Sequence, residues 1–134
     1  MTADHLTLGR EGEEAAAHLL RSLGMEIVEH NFRCRLGEVD LICRQGDTLV
    51  FVEVKTRGQG SLGVGTDAVD KGKRLRLVRA VSEYLSANEL WDRPCRFDVV
   101  SVVKRGDRLS AEHLPDAFQA GSEFGQKGRG WQPW

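Results

Sequence analysis

The chain has 134 residues, 40% of them hydrophobic, and a formal net charge of −1. This length is enough for one domain with its own core and too short to predict two. A net charge near zero argues against a strong non-specific binder of nucleic acids. Charges interrupt each apolar run before it reaches the ~18 residues of a membrane span, and no signal-peptide pattern opens the chain. We therefore expect a cytoplasmic protein without a membrane partner, with one domain over residues 1–120 and a flexible tail over 121–134.

The first predicted element is a helix over residues 7–23, which Gly24 ends. Projected at about 100° per residue, its apolar face comprises Gly12, Ala16, Leu19, Leu20 and Leu23. Glu13 falls at the edge of that face, whereas Glu11 and Glu14 point away from it. Glu13 is therefore the acid of this helix that we expect to face the interior.

A short apolar segment at 25–32 precedes a predicted hairpin with strands at 38–44 and 48–55. Alternate side chains of a strand point to the same side, so Phe51, Glu53 and Lys55 share one face of the second strand. The register follows if the apolar side chains coincide. With Arg44 opposite Leu49, one continuous apolar face forms from the pairs Cys43 with Val50, Leu41 with Val52, and Val39 with Val54.

The same register places two carboxylates, Asp40 and Glu53, directly opposite each other, and Glu38 opposite Lys55. Carboxylates ~5 Å apart on neighbouring strands repel and cost stability unless something neutralises them. A hard divalent cation, Mg²⁺ or Mn²⁺, resolves this conflict better than Lys55 alone, because it takes oxygen ligands and keeps several waters. The hairpin therefore predicts a cation between Asp40 and Glu53.

The rest of the chain predicts a Gly- and Ser-rich mobile loop at 56–66, a helix at 67–87, a strand at 97–103 and a short terminal element at 114–118. Positive charge concentrates between residues 55 and 79, where seven Lys or Arg residues accompany two Asp. One side of the molecule is therefore expected to be basic. Asp98, within the last strand, is interpreted as a structural hydrogen-bonding residue rather than a site residue.

A solvated hairpin face is the simpler explanation of the same pattern, since one face of a sheet often meets water. Three features weigh against it. Phe51 and Ile42 lie on the charged face, Glu13 looks inward from the first helix, and a Gly-rich loop and a basic helix follow directly. Together they indicate a partly covered acidic pocket with cationic walls.

Helix-borne Glu13, then Gly37-Glu38-Val39-Asp40, then Phe51-Val52-Glu53-Val54-Lys55 resembles the motif order of the PD-(D/E)XK nuclease superfamily. The wider set of residues, including Gly12, Asn31 and Lys73, is similar to the YraN family of small bacterial proteins. The resemblance implies an α/β fold with a restriction-endonuclease-like α-β-β-β-α-β core, a mixed central sheet flanked by helices. The proline usual before the aspartate is absent here, as in Holliday-junction-resolvase-like members.

The resemblance also implies roles for individual residues. Asp40 and Glu53 would bind Mg²⁺ or Mn²⁺, with the Val54 backbone carbonyl as a further ligand and Glu13 acting directly or through water. Lys55 would orient or help deprotonate the attacking water in phosphodiester hydrolysis. The phosphate backbone of the substrate would contact the basic residues Arg57, Lys71, Lys73 and Arg74.

We thus expect a metal-dependent endonuclease acting on DNA, with branched or damaged DNA as one substrate class. Because the domain is small and nearly neutral, substrate binding is compatible with a homodimer or a partner protein. Two alternatives stay open at this point. One is a nucleic-acid-binding module with the nuclease fold and little or no activity; the other is an interaction protein whose carboxylates face water.

Overall fold

A computed structural model describes residues 2–58 and 71–117 of the chain, with side chains described from residue 8 in the first segment and from residue 72 in the second. Most of the predicted loop, the first residues of the predicted second helix and the predicted tail lie outside these residues. The elements are α1 (Thr2–Ser22), β1 (Glu26–Cys34), β2 (Gly37–Gln45), β3 (Thr48–Gly58), α2 (Lys71–Ala87), β4 (Cys95–Arg105) and β5 (Arg108–Leu114).

The five strands form one mixed sheet in the order β1-β2-β3-β4-β5. β3 and β4 run parallel, and the chain between them includes α2, because a parallel pair needs a crossover connection. The other neighbouring strands are antiparallel. This arrangement confirms the predicted α/β class and the α-β-β-β-α-β order. In the part of the chain that is described, no helix is both long and apolar enough to cross a membrane.

Each face of the sheet carries its own apolar core. On one face, Ala16, Ala17 and Leu20 of α1 pack on Leu41, Cys43, Val50 and Val52 of the central strands. On the other face, α2 packs on Phe51, whose ring lies 6.2 Å from that of Tyr84. The predicted inward face of α1 is confirmed at Gly12, Ala16 and Leu20 and is wrong at Leu23, which is 46% exposed.

Several predicted boundaries are wrong: α1 begins at Thr2 instead of near residue 7, and β4 spans Cys95–Arg105 instead of 97–103. β3 continues to Gly58, beyond the predicted end at Lys55, because parallel pairing with β4 extends to the pair Gly58 and Lys104. The last described element is the edge strand β5, not a short element starting at residue 114. Leu109 and Ala111 alternate with exposed neighbours along β5 and pack on the core beneath α1, so period-two patterning was the missed signal.

The regular alternation of side chains breaks at Asn31 in β1 and Asp40 in β2, which lie between two paired levels of the ladder. The ladder of β1 and β2 pairs His30 with Leu41 and Phe32 with Val39, and Asn31 between them has a φ of 53°. Val39 consequently packs in the core beneath α2, whereas Leu41 packs beneath α1. The predicted continuous apolar face is therefore wrong at Val39, because a regular alternation cannot pass through this irregular level.

Candidate active site

β3 presents Glu53 and Lys55 on the face that also carries Phe51, as the alternation predicts. Phe51 belongs to the core beneath α2, whereas Val50 and Val52 belong to the core beneath α1. Lys55 lies within hydrogen-bonding reach of Lys73 on α2. The sheet and α2 thus bring an acid and two ammonium groups together above one face.

Asp40 meets Glu53 where β2 and β3 separate. The predicted register is confirmed from Gln45 and Thr48 as far as the pair Leu41 and Val52, where the ladder ends. Beyond it, the Val54 amide donates to Oδ2 of Asp40 at 2.8 Å, and the Asp40 and Glu53 side chains line one pocket, close enough to interact. The carboxylates therefore come together across the opening between the strands, while the predicted pairing of Glu38 with Lys55 lies beyond the end of the ladder.

The environment of Asp40 favours its protonated form. Burial, followed by repulsion from Glu53, raises the pKa of Asp40 to about 7, with smaller contributions from Glu13 and Glu38. The hydrogen bond from Val54 acts in the opposite direction. Burial also raises the pKa of Glu53, although Lys55 and Lys73 lower it. Two interacting acids with raised pKa values titrate as a coupled pair, not as independent groups.

Lys55 is shifted towards its neutral form. Burial and the neighbouring ammonium of Lys73 lower the pKa of Lys55 to about 8, against the attraction of Glu53 and Asp40. An amine with a pKa near the working pH can accept and return a proton, as a general base must. Sequence reasoning placed Lys73 among substrate-binding residues; its effect on Lys55 comes from the approach of α2 to β3, which local patterns do not encode.

Glu13 reaches the acidic pair from α1. Its Oε1 accepts a hydrogen bond of 3.1 Å from Nδ2 of Asn31, the residue with positive φ. Asparagine tolerates that backbone conformation better than most residues, which is the only local signal for this position in the sequence. A Cβ at Gly12 would lie 1.9 Å from Oγ1 of Thr56, so glycine allows α1 to approach β3 closely beside Glu13.

Two depressions meet at Glu53. The first, here called the acidic pocket, is lined by Glu13, Asp40, Glu53, Val54 and Thr56. The second, the basic cleft, is a space of about 330 Å³ that extends from Glu53 along the β1–β2 turn and α2. Its charged lining residues are Arg33, Arg35, Glu38, Glu53, Lys73 and Arg76. The acidic pair thus borders a channel in which positive side chains outnumber negative ones.

The predicted substrate-binding residues separate in the structure. Lys73 lines the basic cleft beside Glu53. Arg57 lies half-buried near the end of β3, and Arg74 lies half-buried on α2; neither lines the acidic pocket or the basic cleft. The side chain of Lys71 lies outside the described residues. Among the described side chains of the four, Lys73 is the one that lines the cleft beside Glu53, and the binding roles of all four stay predictions.

The donor set fits a hard divalent cation held by few protein ligands. Asp40 and Glu53 supply carboxylate oxygens, and burial raises the pKa of both, so that a bound cation would favour their charged forms. Over residues 2–58 and 71–117, no group of three or more His, Cys, Asp or Glu side chains converges on one point. Mg²⁺ characteristically uses one or two carboxylates and retains waters, so two acids suit it and a closed protein cage is not required.

Asp98 lies apart from these groups and is fully satisfied. It is 0% exposed, and the Arg96 guanidinium donates to its two oxygens from Nε and Nη2, each at 2.9 Å. His113 Nε2 lies 2.6 Å from Oδ2, and the Asp116 amide donates to Oδ1 at 2.9 Å. The contacts agree with the structural role predicted for Asp98.

Comparison with known proteins gives one family. The model of the uncharacterised protein family UPF0102, the YraN family, matches residues 12–102. A UPF0102 protein of Nitratidesulfovibrio vulgaris is 47% identical over 132 residues, which cover 98% of each chain. One of Moorella thermoacetica is 47% identical over 88% of this chain and 100% of its own. One of Myxococcus xanthus is 40% identical over 89% of this chain and 94% of its own.

Proposed function

The chain belongs to the UPF0102 family, and from that premise and the site geometry we propose that it is a divalent-metal-dependent endonuclease that hydrolyses phosphodiester bonds of DNA. One observation supports this most strongly. Asp40 and Glu53 line one pocket and interact with each other, with Lys55 and Lys73 acting on Glu53 at the head of a basic cleft. Two acids that repel each other lower the stability of the folded protein. Two acids held beside Lys55 and Lys73 are nevertheless suited to stabilising charge in phosphoryl transfer.

Asp40 and Glu53 are the residues that would hold Mg²⁺ or Mn²⁺, with the Val54 carbonyl and Glu13 as further candidates. Bound there, the cation supplies Lewis-acid polarisation of a phosphoryl oxygen and lowers the pKa of a coordinated water. The Val54 amide fixes Asp40 through its 2.8 Å hydrogen bond, and Asn31 fixes Glu13. These contacts restrict the carboxylates to the acidic pocket before any ligand arrives.

Lys55 and Lys73 are assigned different roles in the proposed reaction. Lys55, with a pKa lowered to about 8, accepts the proton of the attacking water at its Nζ when neutral. Lys73, which lines the cleft beside Glu53, would hold a non-bridging phosphate oxygen. This assignment gives Lys55 a role in proton transfer and Lys73 a role in positioning and charge stabilisation.

Cleavage assays test the proposal directly. Purified protein is incubated with single-stranded, duplex and four-way-junction DNA in Mg²⁺, Mn²⁺ or chelator. Asp40→Asn and Glu53→Gln should each reduce the metal-dependent rate by at least about 100-fold, since each removes a ligand of the reacting assembly. Glu14→Gln, an exposed change on α1 beside Glu13, is the matched control and should retain the wild-type rate. Cleavage undiminished in both pocket variants would overturn the proposal.

A second candidate is a nucleic-acid-binding module without turnover. The observation that favours it is the small ligand set among the described residues, where no third acid converges with Asp40 and Glu53 and Oε1 of Glu13 is engaged by Asn31. This candidate predicts salt-dependent DNA binding that is the same with Mn²⁺ and with chelator, and no cleavage. Binding by fluorescence anisotropy under the two conditions separates the candidates.

A further inference from the structure

The β1–β2 turn forms one wall of the basic cleft and carries an exposed apolar tip. Arg33, Arg35 and Leu36 line the cleft on the turn side, and Lys73 and Arg76 line it from α2. Leu36 is 48% exposed. A large apolar side chain set between arginines at the mouth of a charged cleft is suited to a ligand that has both phosphate and aromatic surface.

The turn is held rigidly against α2. A Cβ at Gly37 would lie 2.1 Å from the carbonyl oxygen of Arg76 and 2.7 Å from its carbonyl carbon, so the backbone of the turn touches the backbone of the helix. Arg33 also forms an ion pair with Glu38 across the turn, Nε to Oε2 at 3.5 Å. Arg35 and Leu36 are therefore presented from a fixed wall, and the cleft is a built feature of the fold.

The cleft has the size of a small-ligand site. Its volume of about 330 Å³ is at the lower end of the ~300–1,000 Å³ typical of pockets that enclose a small molecule. A base-paired stack is much wider than such a space, and the faces of its bases are covered by their neighbours. An unpaired nucleotide offers a free base face for Leu36 and a phosphate for the arginines.

We propose that the basic cleft binds an unpaired nucleic-acid strand, with Arg35 and Arg76 on its phosphates and Leu36 against the face of a base, and leads that strand to Asp40 and Glu53. This inference rests on the proposed function, because it assigns the substrate class of the same site. It restricts the preferred substrates to single strands and to branched DNA with unpaired nucleotides beside the scissile phosphate. Fully paired duplex is expected to bind more weakly.

Binding of fluorescein-labelled oligo-dT in chelator, measured by anisotropy, tests the phosphate contacts without cleavage. Arg35→Glu should weaken binding at least about tenfold, and Arg35→Gln should reduce the salt slope by about 0.7. Arg108→Glu makes the same charge change at an exposed position on β5, the opposite edge of the sheet, and should change affinity much less. Equal losses in Arg35→Glu and Arg108→Glu, or tighter binding of duplex than of oligo-dT, would overturn the inference.

The base contact has its own test. Leu36→Ser should weaken oligo-dT binding several-fold with an unchanged salt slope, because it removes an apolar contact and no charge. On an oligonucleotide of the same length made of abasic sites, wild type and Leu36→Ser should bind equally. An equal loss on both oligonucleotides would contradict a base contact. Melting temperatures within about 2 °C of wild type show that these exposed changes leave the fold intact.

The outcomes distinguish the inference from the proposed function. Oligo-dT binding that depends on Arg35 and Leu36, in a protein that cleaves nothing with Mn²⁺, leaves the cleft assignment standing and removes the endonuclease. Metal-dependent cleavage that is equally fast in Arg35→Glu, Leu36→Ser and wild type leaves the endonuclease standing and removes the cleft assignment.

Discussion

Two aspartates on neighbouring parts of the sheet have opposite environments. Asp98, although completely buried, is held by Arg96, His113 and the Asp116 amide. Burial pushes the pKa of Asp98 up, but these hydrogen bonds outweigh it, so that its pKa lies below the ordinary value. Asp40 is also largely buried, and burial together with repulsion from Glu53 raises its pKa to about 7, with one opposing hydrogen bond from the Val54 amide. Burial alone therefore does not identify a functional acid; the neighbours of the acid do.

The difference follows from what each aspartate contacts. At Asp98 every contact is a donor, so the negative charge is stabilised and the residue strengthens the attachment of β5 and the following segment to β4. At Asp40 one backbone amide is set against burial and the repulsion of other carboxylates, so the negative charge remains unfavourable. A protein keeps such an unfavourable pair where the stability cost serves a site, which is the physical basis for the proposed metal site.

Removing Asp98 should have the largest effect on stability. Asp98→Ala leaves the Arg96 guanidinium and the Asp116 amide without their acceptor, and we expect the free energy of unfolding at pH 7 to fall by about 3 kcal/mol. Because the folded pKa of Asp98 lies below its unfolded value, this contribution is present above pH 4 and is lost as the pH falls through the folded pKa. Urea denaturation at several pH values measures it. Asp92→Ala, at an exposed position, is the control and should change stability by less than about 0.5 kcal/mol.

Neutralising Asp40 should raise the free energy of unfolding, whereas removing Asp98 should lower it. Asp40→Asn keeps an oxygen for the Val54 amide and removes the repulsion from Glu53. The folded pKa of about 7 exceeds the ordinary value of 3.8, so the folded protein binds more protons between these values and loses stability as the pH rises from about 4 to 7.

The variant should therefore be more stable than wild type by about 2 kcal/mol at pH 8, and the gain should vanish towards pH 4. Thermal and urea denaturation without divalent cations give the two curves. Asp47→Asn, in the exposed turn between β2 and β3, should follow wild type throughout. If stability depended on pH in the same way in Asp40→Asn and wild type, the claim that Asp40 and Glu53 interact unfavourably would be contradicted.

Asn31 should affect the site more than the fold. Asn31→Gly tolerates the φ of 53° and removes only the hydrogen bond to Glu13. We expect about tenfold weaker Mn²⁺ binding, within the range of supporting contacts around metal ligands, and a change in stability below about 1 kcal/mol. Calorimetric titration and urea denaturation measure the two quantities. A stability loss with unchanged Mn²⁺ affinity would make Asn31 purely structural.

The smallest expected effect is a change in the pKa of Lys55. Lys73→Gln removes the cation that helps to lower the pKa of Lys55, so the pKa of Lys55 should rise from about 8 towards its ordinary value. Chemical shifts of ¹³C-methylated lysines, followed over pH 6–11 without divalent cations, report this pKa directly. An unchanged titration of Lys55 in Lys73→Gln would place the two amines too far apart to interact.

Much of this architecture is encoded locally. The period of two in β2 and β3 predicted the observed register, and the pattern of α1 predicted which of its sides faces the sheet. The irregular level at Asn31 and Asp40 was not predictable, because it depends on two strands at once. This irregularity places Val39 in the core beneath α2. Asp40 and Glu53 still come together because the ladder between β2 and β3 ends just before them.

Long-range contacts account for the other differences. Lys73 reaches Lys55 only because α2 crosses over the sheet after a connection outside the described residues. Asp116, His113 and Arg96 converge on Asp98 from separate parts of β4, β5 and the following segment. The alternation along β4 places Arg96 and Asp98 on one face, so that contact is local. In contrast, no pattern within one element predicts the approach of His113 and Asp116 to Asp98 or of Lys73 to Lys55.

Titration of Mn²⁺ into the protein at pH 7.5, followed by calorimetry, tests the central claim that Asp40 and Glu53 form a divalent-cation site. We predict one bound Mn²⁺ per chain, displaced competitively by Mg²⁺, with release of protons because Asp40, with a pKa raised to about 7, is partly protonated beforehand. Glu53→Gln should abolish the binding and Glu14→Gln should preserve it. No heat of binding in wild type, or equal binding in wild type and Glu53→Gln, would contradict the account.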